Sequence, residues 1–399
     1  MKAVILAAGE GVRLRPFTIK RPKVMVPLVN KPILEYVIRA LSKFGIYEIV
    51  LVVGYKKESV MDYFGSGDDF GVNIVYVEQT QQLGTAHAIK QASELINEEF
   101  LVLNGDNLID PDAINDLIDG YCGNVSILTV TREDTEGYGV VLTDGDNVTE
   151  IIEKPDKKIS DRMNTGTYIL PHGIFNEIEK TPISLRGEYD VTTTLEQMIK
   201  SGIKVMATNT FHGWADAAYP WDLLKLNSKI LDSTKGKCDG EVEEGVTIKG
   251  EVVIGKDSII RTGSYIIGPV VIGSGCEIGP NVTITPSTSI GNNVYIQPYS
   301  VITNSVLMND VRIGSNSFIS SSIFGENVKV SSGFVTEHAP SNAISSDEII
   351  PVDIGTIIGE NSKFGCRTVT KAGCIIGINC EVESGKIVSK NLPNESIVL

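Results

Sequence analysis

From Leu6 the chain reads Leu6-Ala-Ala8-Gly9-Glu-Gly11-Val-Arg13-Leu-Arg-Pro16, and a second cationic step, Arg21-Pro-Lys23, comes shortly after. A glycine-rich turn just after a short apolar strand lets backbone N–H groups approach phosphate oxygens where a Cβ would intrude, while Arg13 and Lys23 supply positive charge. That combination suits the triphosphate of a nucleotide. It is not a dinucleotide fingerprint, because Leu14 stands where a third glycine would be needed, and no Gly-Lys-Ser/Thr completes a Walker loop. Two glycines after a strand also make an ordinary turn. The presence of Arg13, Pro16, Thr18, Pro22 and Lys23 together is what argues for phosphate chemistry. A second candidate is Asp106 in Leu103-Asn-Gly-Asp106-Asn, a carboxylate at the end of an apolar strand, where Mg²⁺ is served by one or two carboxylates plus phosphate oxygens and water.

The elements that must hold these residues alternate over residues 1–230. Apolar runs at Ala3–Ala7, Ile49–Val53, Ile74–Val77, Phe100–Leu103 and Val125–Val130 are short and uniformly apolar, as in a sheet covered on both faces. Helical spacing fills Ile33–Phe44, Ser59–Phe64, Thr85–Ile96 and Ala113–Tyr121 between them. The pattern predicts a doubly wound α/β domain with a mostly parallel sheet. Ligands bind such sheets beyond the carboxyl ends of the strands, so Gly9, Gly84 and Asp106 are expected on one rim.

The second half has a different period. Ile248, Ile254, Ile260, Ile266, Ile272, Ile278, Ile284, Ile290, Ile296 and Ile302 recur at every sixth residue. Neither a helix nor an ordinary strand has that spacing; it is the hexapeptide repeat of a parallel β-helix, each short strand turning one residue into a triangular prism. The phase slips at Ile313 and Ile319 and resumes at Ile358, and Glu337–Val352 reads as a loop thrown out of the coil. The expected boundaries are 1–232 for the α/β domain, 233–245 for a linker and 246–399 for the β-helix.

Composition bounds the partners. With 42% hydrophobic and 21% charged residues the chain is an ordinary globular one, and 399 residues suit two domains. A formal net charge of −15 and no Lys/Arg run argue against nucleic acid. The first residues form a short strand rather than a signal peptide, and no apolar run approaches the ~18 residues of a membrane span, so a cytoplasmic protein without a membrane partner is expected. Six cysteines without a Cys-x-x-Cys pair read as small buried thiols rather than a zinc site.

The Leu6–Lys23 segment, continued by Asn30-Lys-Pro-Ile-Leu-Glu35, resembles the N-terminal signature of sugar-1-phosphate nucleotidylyltransferases, and the whole chain resembles the two-domain group that ends in a hexapeptide-repeat coil. The resemblance implies that the coil is left-handed and assembles a homotrimer. It also implies transfer of a nucleotidyl group from a nucleoside triphosphate to a sugar 1-phosphate, with Arg13 and Lys23 catalytic at the triphosphate and Leu6, Ala8, Gly9, Gly11, Gln79, Gly84 and Thr85 binding the nucleotide. The segment Gln79-Thr-Gln-Gln-Leu-Gly84-Thr85-Ala-His87 is similar to the family's base-recognition stretch, and with Ala7-Ala8-Gly9 it favours UTP or dTTP over GTP or ATP. His87 is given a structural role on the helix. Tyr138-Gly139, Glu153-Lys154-Pro155 and Asn164-Thr-Gly166 match the sugar motifs, which gives Gly139, Glu153, Lys154 and Asn164 to the sugar phosphate; Arg186-Gly-Glu188 matches as well. Mg²⁺ is expected on Asp106 and on Asp216 of Trp214-Ala-Asp216, although Ala217-Ala218 departs from the usual continuation.

Two alternatives stay open. Related two-domain enzymes carry a His- and Tyr-containing acetyltransfer element in the coil, where this chain reads Gly314-Ser-Asn-Ser-Phe-Ile-Ser-Ser-Ser-Ile323 with neither residue, so acetyl-CoA-dependent transfer to an amino-sugar phosphate is expected to be absent or weak; His338 of the extruded loop is its candidate base, although a lone loop histidine is ordinary. The other alternative is a noncatalytic sugar-nucleotide-binding subunit, against which the retention of Arg13, Lys23 and Asp106 counts.

Overall fold

The computed structural model describes every residue except Asp156, Leu185, Arg186, Ser346 and Asp347, so the Arg186 expectation lies outside the described residues. The chain forms two compact units. One comprises Met1–Glu10, Arg21–Met25 and Pro32–Asp216; the other comprises Gly11–Lys20, Val26–Lys31 and Ala217–Leu399.

In the first unit the strands are β1 (Lys2–Ala7), β2 (Glu48–Val53), β3 (Asn73–Glu78), β4 (Phe100–Asn104), β5 (Asn107–Ile109), β6 (Val125–Thr131), β7 (Val140–Asp144), β8 (Asn147–Ile152), β9 (Arg162–Leu170), β10 (Val205–Thr210) and β11 (Trp214–Asp216). The longer helices are α1 (Ile33–Phe44), α2 (Lys57–Phe64), α3 (Thr85–Lys90), α4 (Pro111–Asp119), α5 (Ile174–Ile178) and α6 (Val191–Lys200). Nine strands make one sheet in the order β3-β2-β1-β4-β9-β6-β10-β8-β7. The first four run parallel, as the buried apolar runs require. Beyond β4 the order is mixed: β9 enters antiparallel to both β4 and β6, and β8 is antiparallel to β10 and β7. Strands β7 and β8 carry exposed polar residues, and β9 alternates half-buried Arg162, Asn164 and Gly166 with buried neighbours, which is why no apolar run announces them.

Helix α1 shows how local sequence fixes an element. Ile33, Leu34, Val37, Ile38 and Leu41 recur at helical spacing and are all fully buried, and Gly45 closes the helix at φ +98° with its N–H on the Leu41 carbonyl. Helix α4 starts at Asp110, whose carboxylate accepts from the Asp112 N–H, with Pro111 at the first helical position. The helix expected over residues 85–96 is shorter: α3 stops at Lys90, and Ser93–Leu95 is a separate 3₁₀ turn.

The second unit is a parallel β-helix with helix α7 (Asp222–Asp232) before it. Its three ladders hold eight, nine and eight short strands. Ile254 through Ile302 point inward and are at most 1% exposed, whereas Ile248, on the first turn, is 38% exposed. Each buried isoleucine contributes about 2–3 kcal/mol, which is enough to leave the outward residues free to vary. The phase slip is a shorter turn: Ile302 pairs with Ile319 and Ile296 with Ile313, one residue sooner than the preceding pairs Ile284–Ile302 and Ile278–Ile296. Where the interior residues change from isoleucine, Phe324, Phe334 and Phe364 meet edge to face with centroids 5.9 and 5.2 Å apart. Asn and Asp occupy left-handed corner positions such as 293, 310, 327, 361 and 379. Asn327, Asn361 and Asn379 also hydrogen-bond from turn to turn along one edge.

Three expectations need correction. Residues 233–245 are not a linker throughout, because Lys237–Cys238 and Glu241–Val242 already pair with Val253–Ile254 and Ile259–Ile260; their residue types hide the period. The extruded segment is an ordered hairpin, Ala339–Ser345 against Glu348–Ile354, since its alternating residues find a cross-strand partner. Cys276, Cys374 and Cys380 are buried, but Cys122, Cys238 and Cys366 are exposed. No described helix is long and apolar enough to cross a membrane.

Candidate active site

At the carboxyl end of β1 the main chain of Leu6 and Ala8 is already engaged: the Leu6 carbonyl accepts from the Gly105 N–H (2.8 Å) and the Ala8 carbonyl from the Tyr55 N–H (3.1 Å). A Cβ at Gly9 would meet no protein atom within 4 Å. Packing does not require glycine there; the open space does fit a ligand that comes close to the backbone. Gly54, just after β2, is different, since a Cβ would press on the Ala8 backbone and side chain at 2.9 Å. A glycine directly after an apolar strand was its one sequence signal.

Lys23 begins a short 3₁₀ turn, Lys23–Met25. Val24 anchors it against Gly105, where a Cβ would stand only 3.0 Å from the Val24 side chain and from the Leu6 carbonyl. The result places the Lys23 ammonium in direct ion-pair contact with the Asp106 carboxylate, both about four-fifths buried. Asp106 sits in the two-residue turn between β4 and β5. Strand β5 pairs antiparallel with β11 so that Asn107 lies opposite Asp216. Asp106 thus immediately precedes the residue that Asp216 faces across the ribbon. The Tyr138 hydroxyl donates to Asp216 Oδ1 at 2.8 Å, and buried Asn107 donates to the Thr165 carbonyl at 2.9 Å. Neither role was visible in the sequence, where Tyr138 was only the neighbour of Gly139.

Among the described residues no three His, Cys, Asp or Glu groups gather as a complete metal cage. Mg²⁺ needs only one or two carboxylates and takes its remaining ligands from water and substrate phosphate, so Asp106 and Asp216, one register step apart, are its candidate ligands.

The residues expected at the sugar also converge. The Glu153 carboxylate lies 2.9 Å from where a Cβ of residue 139 would be, with the Asn164 Cβ 3.8 Å from the same point, and the Asn164 N–H donates to the Gly139 carbonyl at 2.8 Å. The Asn164 amide donates to the Tyr168 hydroxyl (2.8 Å) and accepts from the Gly166 N–H (3.0 Å), which fixes its orientation. Burial pushes the Tyr168 hydroxyl far above its ordinary range, with Asn164 pulling against that and nearby Glu153 adding to it. Lys154 takes the left-handed conformation, φ +46°, uncommon for a non-glycine residue.

In the loop expected to meet the base, Gly84 has φ +112°, and a Cβ there would lie 2.5–2.8 Å from the Tyr189 backbone. Its close approach is to its own chain: Tyr189 bonds Leu83 and Ala86 on either side. The Thr85 hydroxyl accepts from the Val191 N–H at 2.9 Å and so ties the loop to the start of α6. Gln79 is 3% exposed, its N–H on the Val53 carbonyl and its amide nitrogen 3.1 Å from the Gly84 carbonyl.

Gly11 and Arg13 belong to the second unit. Gly11 adopts φ +74° before the Val12–Leu14 turn and its carbonyl accepts from the Thr18 hydroxyl at 2.8 Å. The Arg13 guanidinium stands 5.9 Å from the Tyr219 ring centroid, a cation–π contact.

Residues 2–233 match the family model described as nucleotidyl transferase. Residues 266–353 match a GMPPB C-terminal domain and 355–390 a hexapeptide repeat of succinyl-transferase. The bifunctional protein GlmU of Methanocaldococcus jannaschii is 34% identical over 410 residues, covering 100% of this chain and 97% of that one. A glucose-1-phosphate thymidylyltransferase of Streptomyces antibioticus is 34% identical over 70% of this chain and 79% of its own. Among solved structures, a putative glucose-1-phosphate thymidylyltransferase from Bacillus anthracis superposes with a TM-score of 0.54 at 27% identity, over 59% of this chain and 98% of that one. The chain belongs to the nucleotidyl transferase family.

The Gly84 contact makes a prediction. Gly84→Ala forces a Cβ against the Tyr189 backbone at a left-handed φ, so stability in urea should fall by about 1–3 kcal/mol and the triphosphate KM should rise roughly tenfold. A variant with unchanged midpoint and KM would show that the loop does not depend on this crossing.

Proposed function

We propose that this member of the nucleotidyl transferase family joins UTP or dTTP to a hexose 1-phosphate, glucose or N-acetylglucosamine 1-phosphate, with release of pyrophosphate. A phosphate oxygen of the sugar 1-phosphate attacks the α-phosphorus; the new P–O bond forms as the bond to pyrophosphate breaks, without a covalent enzyme intermediate. Two anions must meet, so the chain's task is positioning and charge neutralisation. The observation that carries this reading is the Lys23–Asp106 pair beside the β5·β11 ribbon, with Tyr138 linking Asp216 to the Gly139, Glu153 and Asn164 cluster.

In that reading Lys23 and Arg13 bind triphosphate oxygens, and a phosphate takes over the ammonium that Asp106 now holds. Arg13 offers a planar fork and Lys23 a point charge, so the two are not interchangeable. Mg²⁺ on Asp106 and Asp216, when bound, neutralises charge on the reacting phosphates. Leu6, Ala8, Gly9 and Gly11 offer backbone to the nucleotide, Gln79, Gly84 and Thr85 form the base loop, and Gly139, Glu153, Lys154 and Asn164 receive the sugar phosphate. These substrates place the work in the cytoplasm.

We further read the coil as a trimerisation element. On one ladder the outward residues stack in register as Tyr265, Thr283, Val301, Phe318 and Val335, ending at Ile387. Phe318 and Ile387 are 44% and 64% exposed. The next ladder instead presents Glu277, Tyr295, Arg312, Lys329, Lys363 and Glu381, charged at all but one of these positions. A nearly uncharged face along the prism is suited to other copies of itself, and a charged face to water.

A second activity has one observation in its favour. His338 Nε2 lies 3.1 Å from Asp353 Oδ1 across the base of the hairpin, a carboxylate-oriented imidazole of the kind a general base uses. It would support acetyl transfer to an amino-sugar phosphate in the coil.

The function is tested by pyrophosphate release from four triphosphates paired with several sugar 1-phosphates. UTP or dTTP should be preferred, activity should vanish in excess chelator, and Asp106→Ala should lower kcat by at least ~100-fold. Full activity in that variant would remove the metal assignment. For assembly, light scattering should give three copies for the full chain, and Phe318→Glu should yield smaller species without loss of the folded coil. A monomeric full chain would overturn the trimer.

A further inference from the structure

Behind Gln79 lies a residue that sequence reasoning gave only a structural role. The Gln79 side-chain nitrogen is 2.9 Å from His87 Nδ1 as well as 3.1 Å from the Gly84 carbonyl. A carbonyl only accepts, so the atom facing Gly84 is the amide NH₂, and its two hydrogens are then taken by Gly84 and His87. No described residue takes Gln79 Oε1, and Oε1 is not among the buried polar atoms that lack a partner; the acceptor end of the amide is the end left open.

The imidazole must accept at Nδ1 for this to hold. Burial, with Lys90 second, depresses the His87 pKa while the Gln81 backbone pulls the other way, so the ring is neutral near pH 7. A neutral ring has one acceptor nitrogen. The Gln91 amide nitrogen lies 3.3 Å from Nε2 but makes its better bond, 3.0 Å, to the His87 carbonyl; the shorter ring contact is the one from Gln79.

We propose that His87 is a positioning residue that fixes which end of the Gln79 amide meets the base. Resting on the reading that Gln79 lies at the base, this orientation offers an acceptor and selects a ring N–H. Uracil and thymine present N3–H at that edge. Cytosine presents an acceptor at N3 and meets Oε1 with lone pair against lone pair, so it is rejected.

The experiment measures kcat/KM for UTP against CTP with one sugar 1-phosphate in the full-length protein. His87→Leu removes the acceptor and frees the amide to turn over; the UTP/CTP ratio should fall roughly 3- to 10-fold, the scale of one neutral hydrogen bond. His87→Asn places an amide oxygen near the Nδ1 position and should restore most of the ratio, which a merely structural role would not do. An unchanged ratio in His87→Leu while Gln79→Ala collapses it would overturn the positioning role alone. An unchanged ratio in Gln79→Ala would instead remove the base reading on which it rests. Should His87→Leu fail to fold, ¹⁵N NMR of the wild-type ring decides: the proton belongs on Nε2, and a proton on Nδ1 would contradict the proposal.

Discussion

The candidate site of the first unit depends on one strand pairing that brings chain segments remote in sequence together and gives each carboxylate its own polar partner. The antiparallel register of β5 and β11 sets Asn107 opposite Asp216, so Asp106, in the turn just before β5, lies one register step from a residue remote in sequence. Each partly buried carboxylate needs a partner. Lys23 answers Asp106, and the Tyr138 hydroxyl answers Asp216. The Lys23 contact depends in turn on Val24 lying against Gly105, a position that a larger residue would spoil. Polar groups held in this way need little reorganisation when a ligand arrives.

The base loop is built on a second constraint, a close crossing of backbone. Gly84 passes so near Tyr189 that only glycine fits, and Thr85 adds a bond to Val191. That crossing holds the Gly84 carbonyl and the start of α3 in place, and through them the Gln79 amide. The Gln79 amide is therefore fixed by bonds to its own chain. Asn164 is held on the same plan, its amide fixed by Tyr168 and Gly166. Preorganised polar groups of this sort lose less freedom on binding than free side chains would.

Elements with a strong residue period were legible in the sequence. Ten isoleucines six apart disclosed the coil, and short apolar runs disclosed β1 to β4 and β6. Where the period is carried by other residue types it went unseen: the first coil strands use Cys238 and Val242, and strands β7 to β9 mix polar and apolar residues. Asp106 was legible because a carboxylate ended an apolar strand, and Asp216 was reached only through resemblance. Tyr138, Asn107 and Gly54 were illegible as site residues, since their roles exist only once distant strands pair. Gly11 and Arg13 read as one loop with Gly9, yet the fold groups them with the second unit, where Tyr219 receives the guanidinium.

The central claim is that Asp106 and Asp216 jointly hold one divalent ion. Titrating Mn²⁺ into the full-length protein with UTP present, and counting bound ion by electron paramagnetic resonance, tests it directly. The account predicts one high-affinity Mn²⁺ per chain in the wild type beyond that held by free UTP, and a loss of affinity of at least ~10-fold in Asp216→Asn, as expected for removal of one ligand charge. Equal affinity in that variant would contradict it and leave Asp106 with a different second partner.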